Sequence, residues 1–160
     1  MTGPPPRALL RWQFRLAHRL LDGAALGLPP EAARSEGARL AAASFAQAVA
    51  TEDLTVNGIL AAGEPLALST WAGRTGLSEP PPLGDPAGWA PWAGRVRVDL
   101  GGARPYARAV YAATDAFLAG VPEDALDVGR GERPACLLSA LLLTLAVRRG
   151  EIGCLLGRAG

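Results

Sequence analysis

Proline and glycine cut this chain into four stretches that repeat apolar residues at helical spacing, and leave almost nothing that alternates like a strand. The first stretch runs from about Arg7 to Asp22, with Leu10, Phe14, Ala17 and Leu21 on one stripe. Gly23 and Gly27 loosen its end and Pro29-Pro30 stops it. The second, about Arg39 to Ala61, lines one face with Leu40, Ala43, Gln47, Ala50, Leu54 and Gly58 and a neighbouring face with Phe45, Val49, Val56 and Leu60. A face that wide predicts contact with two other helices. The third, about Pro105 to Gly120, turns Tyr106, Val110, Ala113 and Phe117 inward. The fourth, about Arg133 to Leu156, carries Leu137, Leu141, Thr144, Arg148, Ile152 and Leu155 on one face. Arg95-Val96-Arg97-Val98 alternates but is too short and isolated to make a sheet. The fold class is therefore all-α.

Between the second and third stretches lies a long segment without a clear period, residues 63–98, rich in proline and glycine and containing Trp71, Trp89 and Trp92. Three tryptophans carry too much apolar area to be left wet, so the segment is expected to strap along the helices, with each indole at least half buried. Short connections on either side of one long crossover predict a four-helix bundle in up-down-down-up order. The 160 residues suit one domain, 1–160, with a flexible start at 1–6. Ala25-Leu-Gly-Leu-Pro-Pro-Glu-Ala resembles Leu118-Ala-Gly-Val-Pro-Glu-Asp-Ala, which reads either as two helix pairs of common design or as ordinary stop–start punctuation. Gly129-Arg-Gly131 reads as a turn.

Composition narrows the function. With 49% apolar and 19% charged residues the chain should collapse rather than stay disordered. A net charge of +1 supplies no basic surface for nucleic acid. The longest apolar run, Ala135 to Val147, is too short to span a bilayer, and the N-terminus has no leader pattern, so a cytoplasmic location is expected, with no membrane partner. The excess of Ala, Gly and Arg suggests a bacterial genome of high GC content.

Chemistry is sparse. The single histidine, His18, reads as an edge residue paired with Asp22. Cys136 and Cys154 are about 27 Å apart along one helix, cannot meet within the chain, and read as buried small hydrophobes. No nucleophile elbow or phosphate loop is present. Adjacent acids such as Glu52-Asp53 point about 100° apart on a helix and read as solvated faces. The anomaly is polar residues on inward stripes: Gln47, and Thr144 with Arg148 one turn later. A charged Arg on a core stripe needs a partner or a route to water, and Glu52 and Glu151 are candidates.

Four stretches carry a family resemblance: Ala50-Thr-Glu-Asp-Leu-Thr-Val-Asn-Gly-Ile-Leu60, Trp71-Ala-Gly-Arg-Thr-Gly-Leu-Ser-Glu-Pro80, Val110-Tyr-Ala-Ala-Thr-Asp-Ala-Phe-Leu118 and Arg149-Gly-Glu-Ile152. With their order, they make the chain resemble the DinB-like superfamily of bacterial helical bundles, which includes mycothiol- and bacillithiol-dependent transferases and isomerases. The resemblance spans nearly the whole length and points to an actinobacterial-type subgroup. It implies a metal site built from one His on the second helix, five residues before an acid, and two His four apart before a Gly-Glu-Ile turn. Those positions here are Gln47, Thr144 and Arg148. A unit charge about 5 Å from a divalent ion costs about 6–7 kcal/mol at an effective dielectric of 20, and Arg has no lone pair to offer. No metal cofactor is expected. What the resemblance leaves is a degenerate pocket at Gln47, Thr144 and Arg148, supported by Glu52 and Glu151. Its expected role is non-catalytic binding of a small anion or a low-molecular-weight thiol, or a scaffold, with a homodimer allowed. The alternative is a thiol-dependent transferase or isomerase using the same pocket.

Overall fold

The computed structural model describes residues 5–28, 35–126 and 133–157, and among these the chain is helical throughout its regular parts. Helix α1 is Pro6–Leu26, α2 Glu36–Asp53, α3 Trp89–Arg95, α4 Leu100–Gly120 and α5 Arg133–Gly157. A π-helical segment, Leu54–Leu60, continues α2 without a break. The only β pairing among the described residues is one isolated bridge between Leu77 and Val98. The alternating stretch thus pairs at a single point, having no second strand to extend along.

Helix starts follow local chemistry. The hydroxyl of Ser35 accepts from the Ala38 amide at 3.1 Å to cap α2. Asp99 caps α4 through the Gly101 amide at 3.0 Å. That cap moves the start of α4 five residues ahead of the predicted Pro105, which instead lies inside the helix. Its missing N–H strands the carbonyl four residues back, at Gly101, whose position is exposed to water. Gly102 packs so closely on Gly76 that a Cβ on Gly102 would lie 2.8 Å from the Gly76 Cα, while Gly76 has a φ of +74°. This approach ties the crossover to the start of α4.

The expected flexible start divides: 1–4 lie outside the described residues, and Pro5 and Pro6 are the cap and first residue of α1. The likeness at 25–32 and the turn at 129–131 also fall partly or wholly outside them. Helix α1 runs past Gly23 to Leu26 because Ala25 is buried there.

The helices pack as two sets of neighbours: α1 touches α4 and α5, and α2 touches α4 and α5. Helix α2 is buried almost all round, through Ala41, Ala42, Ala43, Phe45, Ala48, Val49 and Ala50. Its small side chains let four other elements approach, which accounts for the wide apolar face in the sequence. Along α1 and α4 the contacts descend in register: Arg7 reaches the Ala119 carbonyl, Arg11 reaches Asp115, and Arg104 reaches the Ala25 carbonyl, so these two helices are antiparallel.

Two predicted stripes shift. On α1 the buried line is Phe14, His18, Leu21 and Ala25, with His18 taking the place expected for Ala17. On α4, Tyr106 and Val110 are buried as expected, but Thr114 and Leu118 replace Ala113 and Phe117. On α5 the buried line is Ala135, Leu138, Leu141, Leu145 and Ile152. That line turns Cys136 and Cys154 outward, so both cysteines are exposed rather than buried.

The crossover is strapped against the helices. It contains α3, whose Trp92 is fully buried with Ala43, Ala46 and Val96 in a small second core. Trp71 and Trp89 are mostly buried, as expected; Trp71 leans on Tyr106 with ring centres 6.0 Å apart.

Candidate functional site

Glu52 and Asp53 are both completely buried, contrary to the solvated-face reading. Their positions about 100° apart send them into two separate networks. Asp53 holds the crossover. Its carboxylate accepts from the Leu66 and Ala67 amides, the Asn57 amide group and the Tyr106 hydroxyl, each at 2.8 Å. The π-helical turn brings this about: after Asp53 the chain widens, turns through Ala62 at a φ of +51°, and returns along the carboxylate. Burial and the neighbouring Asp53 charge push the Tyr106 hydroxyl well above its usual range.

Glu52 faces the other way, toward α1 and α4. Nε2 of His18 lies 2.9 and 3.1 Å from its two oxygens, and the Thr114 hydroxyl donates to it at 2.5 Å. Facing an acceptor carboxylate, Nε2 is the nitrogen that carries the hydrogen. The imidazole stacks on Tyr111, with ring centres 3.8 Å apart and planes 13° apart. The Tyr111 hydroxyl donates to Asp22 at 3.2 Å. Burial raises the Asp22 carboxyl above its ordinary value, and burial also pushes the Tyr111 hydroxyl up. His18 therefore pairs with Glu52 on the next helix, and not with Asp22, which belongs to the tyrosine.

This chain of groups lines a hollow of about 650 Å³ bounded by Trp12, Phe14, Arg15, His18, Arg19, Asp22, Tyr111 and Asp115. At its rim Arg11 and Arg15 both grip Asp115, with N–O distances of 2.7 and 3.1 Å. Those hydrogen bonds hold the Asp115 carboxyl at about 2. The hollow presents aromatic walls, guanidinium groups, carboxylates and one imidazole. Sequence reasoning missed it because its members come from two helices far apart in the chain, α1 and α4, with the buried Glu52 of α2 behind them; the available signal was the lone His one and two turns from apolar stripe residues.

The pocket expected from the sequence lies elsewhere. Gln47 and Arg148 share a hollow of about 380 Å³ with Leu40, Ser44, Ala93, Glu151, Cys154 and Leu155. Arg148 donates to Glu151 at 2.7 Å, and the Ser44 hydroxyl donates to the same carboxylate oxygen at 2.8 Å. Gln47 and Arg148 also line an adjoining hollow under Trp89 and Asp85. Thr144 is half-buried on α5 and its hydroxyl turns back to the Ala140 carbonyl at 3.0 Å. Glu52 is not part of this pocket, being committed to His18 and Thr114. The residues at the three family positions do not fit a divalent ion. The Arg148 guanidinium stands there with its charge balanced by Glu151, and Gln47 and Thr144 offer only neutral oxygens. Among the described residues no group of three His, Cys, Asp or Glu side chains is placed to hold a metal, and no helix is long and apolar enough to cross a membrane.

No family model matches the chain, and neither a curated protein nor a solved structure matches it.

Proposed function

We propose that this chain is a DinB-like helical domain with a degenerate metal site that binds a small ligand without catalysing a reaction, in the cytoplasm of a bacterium. The finer architecture belongs to the same reading: a four-helix bundle in up-down-down-up order, with residues 63–98 as the crossover. Support for that order comes from the antiparallel register of α1 with α4, and from the meeting of the C-terminal ends of α1 and α5, where a Cβ on Gly27 would lie 3.6 Å from the Leu156 Cδ1.

The observation that carries the binding role is the hollow at His18. Its volume of about 650 Å³ falls in the range of small-molecule sites, and its walls pair aromatic surface with fixed charges. A small anion would be met by Arg19, and a low-molecular-weight thiol by the aromatic rings and the imidazole. Calorimetric titration with small carboxylates, phosphate and low-molecular-weight thiols tests this. Saturable binding that Arg19→Ala weakens about tenfold or more supports the reading, and no binding by any of these probes removes it. The hollow at Arg148 is the second place to look, and Arg148→Ala separates the two.

One specific observation favours the transferase alternative. Glu52 orients the imidazole through Nε2, leaving Nδ1 as the ring nitrogen able to accept a proton. A thiol in the hollow would lose its proton to Nδ1, the thiolate would form its bond to an electrophilic carbon as that carbon's bond to a leaving group breaks, and the imidazolium would return the proton to the departing group. His18→Gln abolishing transfer while leaving thiol binding in place would establish that reading; turnover unchanged in His18→Gln would end it.

A further inference from the structure

The side of α5 turned away from the core carries a second seam. Cys136, Ala140, Leu143, Val147, Gly150 and Cys154 follow one another at spacings of four, three, four, three and four residues. That is the seven-residue repeat of a helix that packs along another helix. Yet this line faces water: Leu143 is 67% exposed, Val147 is 52% exposed and both cysteines are exposed. The core is already served by the line from Ala135 to Ile152, so one copy of the chain has no use for the second seam.

The apolar surface continues onto α1. Leu9 and Leu20 are 42% and 47% exposed, and a groove of about 600 Å³ between the helices is walled by Leu16, Ala17, Leu142 and Ala146. Arg148 and Glu151 are paired with each other on the side toward α2, while Arg149, with Gln13, lines the far edge of the α1–α5 groove, off the seam itself.

We propose that this α1–α5 face joins two copies of the chain, with α5 antiparallel to its counterpart about a two-fold axis at the level of Leu145. The seam reads the same from either end. In that arrangement Cys136 meets Cys154 of the second copy, Ala140 meets Gly150 of the second copy, and Leu143 meets Val147 of the second copy. Cysteine faces cysteine, small faces small, and large aliphatic faces large aliphatic. A two-fold interface demands this self-complementarity, whereas an unrelated partner does not. Charge agrees, because a two-fold axis sets like charges on its own line against themselves and this line has none. Area agrees too. From Cys136 to Cys154 the face is about 27 Å long, and two helices at about 10 Å spacing make it about 20 Å wide. The flat footprint of roughly 500 Å², larger once side-chain relief is counted, approaches the ~800 Å² per partner of a stable dimer. It lies toward the upper end of the roughly 300–600 Å² that the largest apolar patch of a monomer spans, where such patches often mark contact sites.

Sedimentation velocity on the full chain in reducing buffer, followed by mild oxidation and peptide mapping, tests the proposal. The expected results are a particle of twice the 16.5 kDa chain mass and a disulfide joining Cys136 of one copy to Cys154 of the other. Within one copy these residues are too far apart to be bridged. Leu143→Glu sets two carboxylates in the seam and is expected to abolish the dimer while leaving the helical circular dichroism unchanged. A monomer in the wild type overturns the proposal. So does a ladder of larger oligomers, a map of Cys136–Cys136 and Cys154–Cys154 links, or a dimer that folded Leu143→Glu leaves intact. Should Leu143→Glu not fold, the wild-type mass and crosslink map decide.

Discussion

His18 and Glu52, 34 residues apart, meet in the interior with Nε2 2.9 Å from the nearer carboxylate oxygen, and Glu52 is completely shielded from water. The pair joins α1 to α2, and Thr114 joins α4 to both. Removing the carboxylate strands two buried donors. Glu52→Ala is expected to destabilise the fold by about 2–4 kcal/mol, and Glu52→Gln, which keeps one acceptor oxygen, by roughly 1–3 kcal/mol. Urea denaturation monitored by circular dichroism measures both, and a Glu52→Ala change under about 0.5 kcal/mol would show that the network carries no stability.

Asp53 accepts four hydrogen bonds, two from the crossover amides of Leu66 and Ala67 and two from Asn57 and Tyr106, and so fastens the crossover to the helices. Asp53→Ala is expected to free this segment locally, so that protease cuts the native protein between Gly63 and Leu83, where the wild type resists. Tyr106→Phe removes one of the four bonds and is expected to cost about 1–2 kcal/mol without exposing the segment. Equal cleavage of wild type and Asp53→Ala would mean that Trp71 and Trp92, not the carboxylate, hold the strap.

The Arg148–Glu151 pair is partly open to water, with side chains 27% and 41% exposed. Arg148→Ala is therefore expected to change stability by no more than about 1 kcal/mol, since solvent screens such a pair. The stronger test of the family alignment is to restore histidine at all three positions. Gln47→His, Thr144→His and Arg148→His together are expected to create zinc or nickel binding measurable by calorimetry. A folded triple variant that binds neither ion would show that these positions do not converge.

Asp115 supplies a pH dependence. Arg11 and Arg15 lower its carboxyl to about 2 from an ordinary 3.8. Its ionised form is thus favoured by folding, and the stabilisation is present above about pH 4 and lost as pH falls through about 2. The difference in stability between wild type and Asp115→Asn should be constant from neutral pH down to about 4 and shrink below it. Partial exposure of all three side chains screens the cluster and keeps this difference small. A difference that grows on acidification would contradict the assignment.

The helices were legible because their determinants are local. Apolar spacing located α1, α2, α4 and α5, and proline, glycine and capping side chains placed most of their ends within a few residues. The tryptophans likewise announced that the crossover is packed, because an indole is costly to hydrate wherever the chain leads it. Local rules failed where one helix's choice depends on another. Nothing in the spacing of α4 favours Thr114 over Ala113; the buried Glu52 opposite does. Nothing in the pair Glu52-Asp53 reveals burial, because adjacent carboxylates on a lone helix are solvated. Their partners, His18, Thr114, Tyr106 and the Leu66 and Ala67 amides, come from three other segments. The sequence by itself determined which segments are helical and which faces are apolar, since periodicity and capping act within a few residues. Only the tertiary structure decided which polar side chains are taken out of water and in whose company, because burying a charge is tolerable only when distant groups complete its hydrogen bonds.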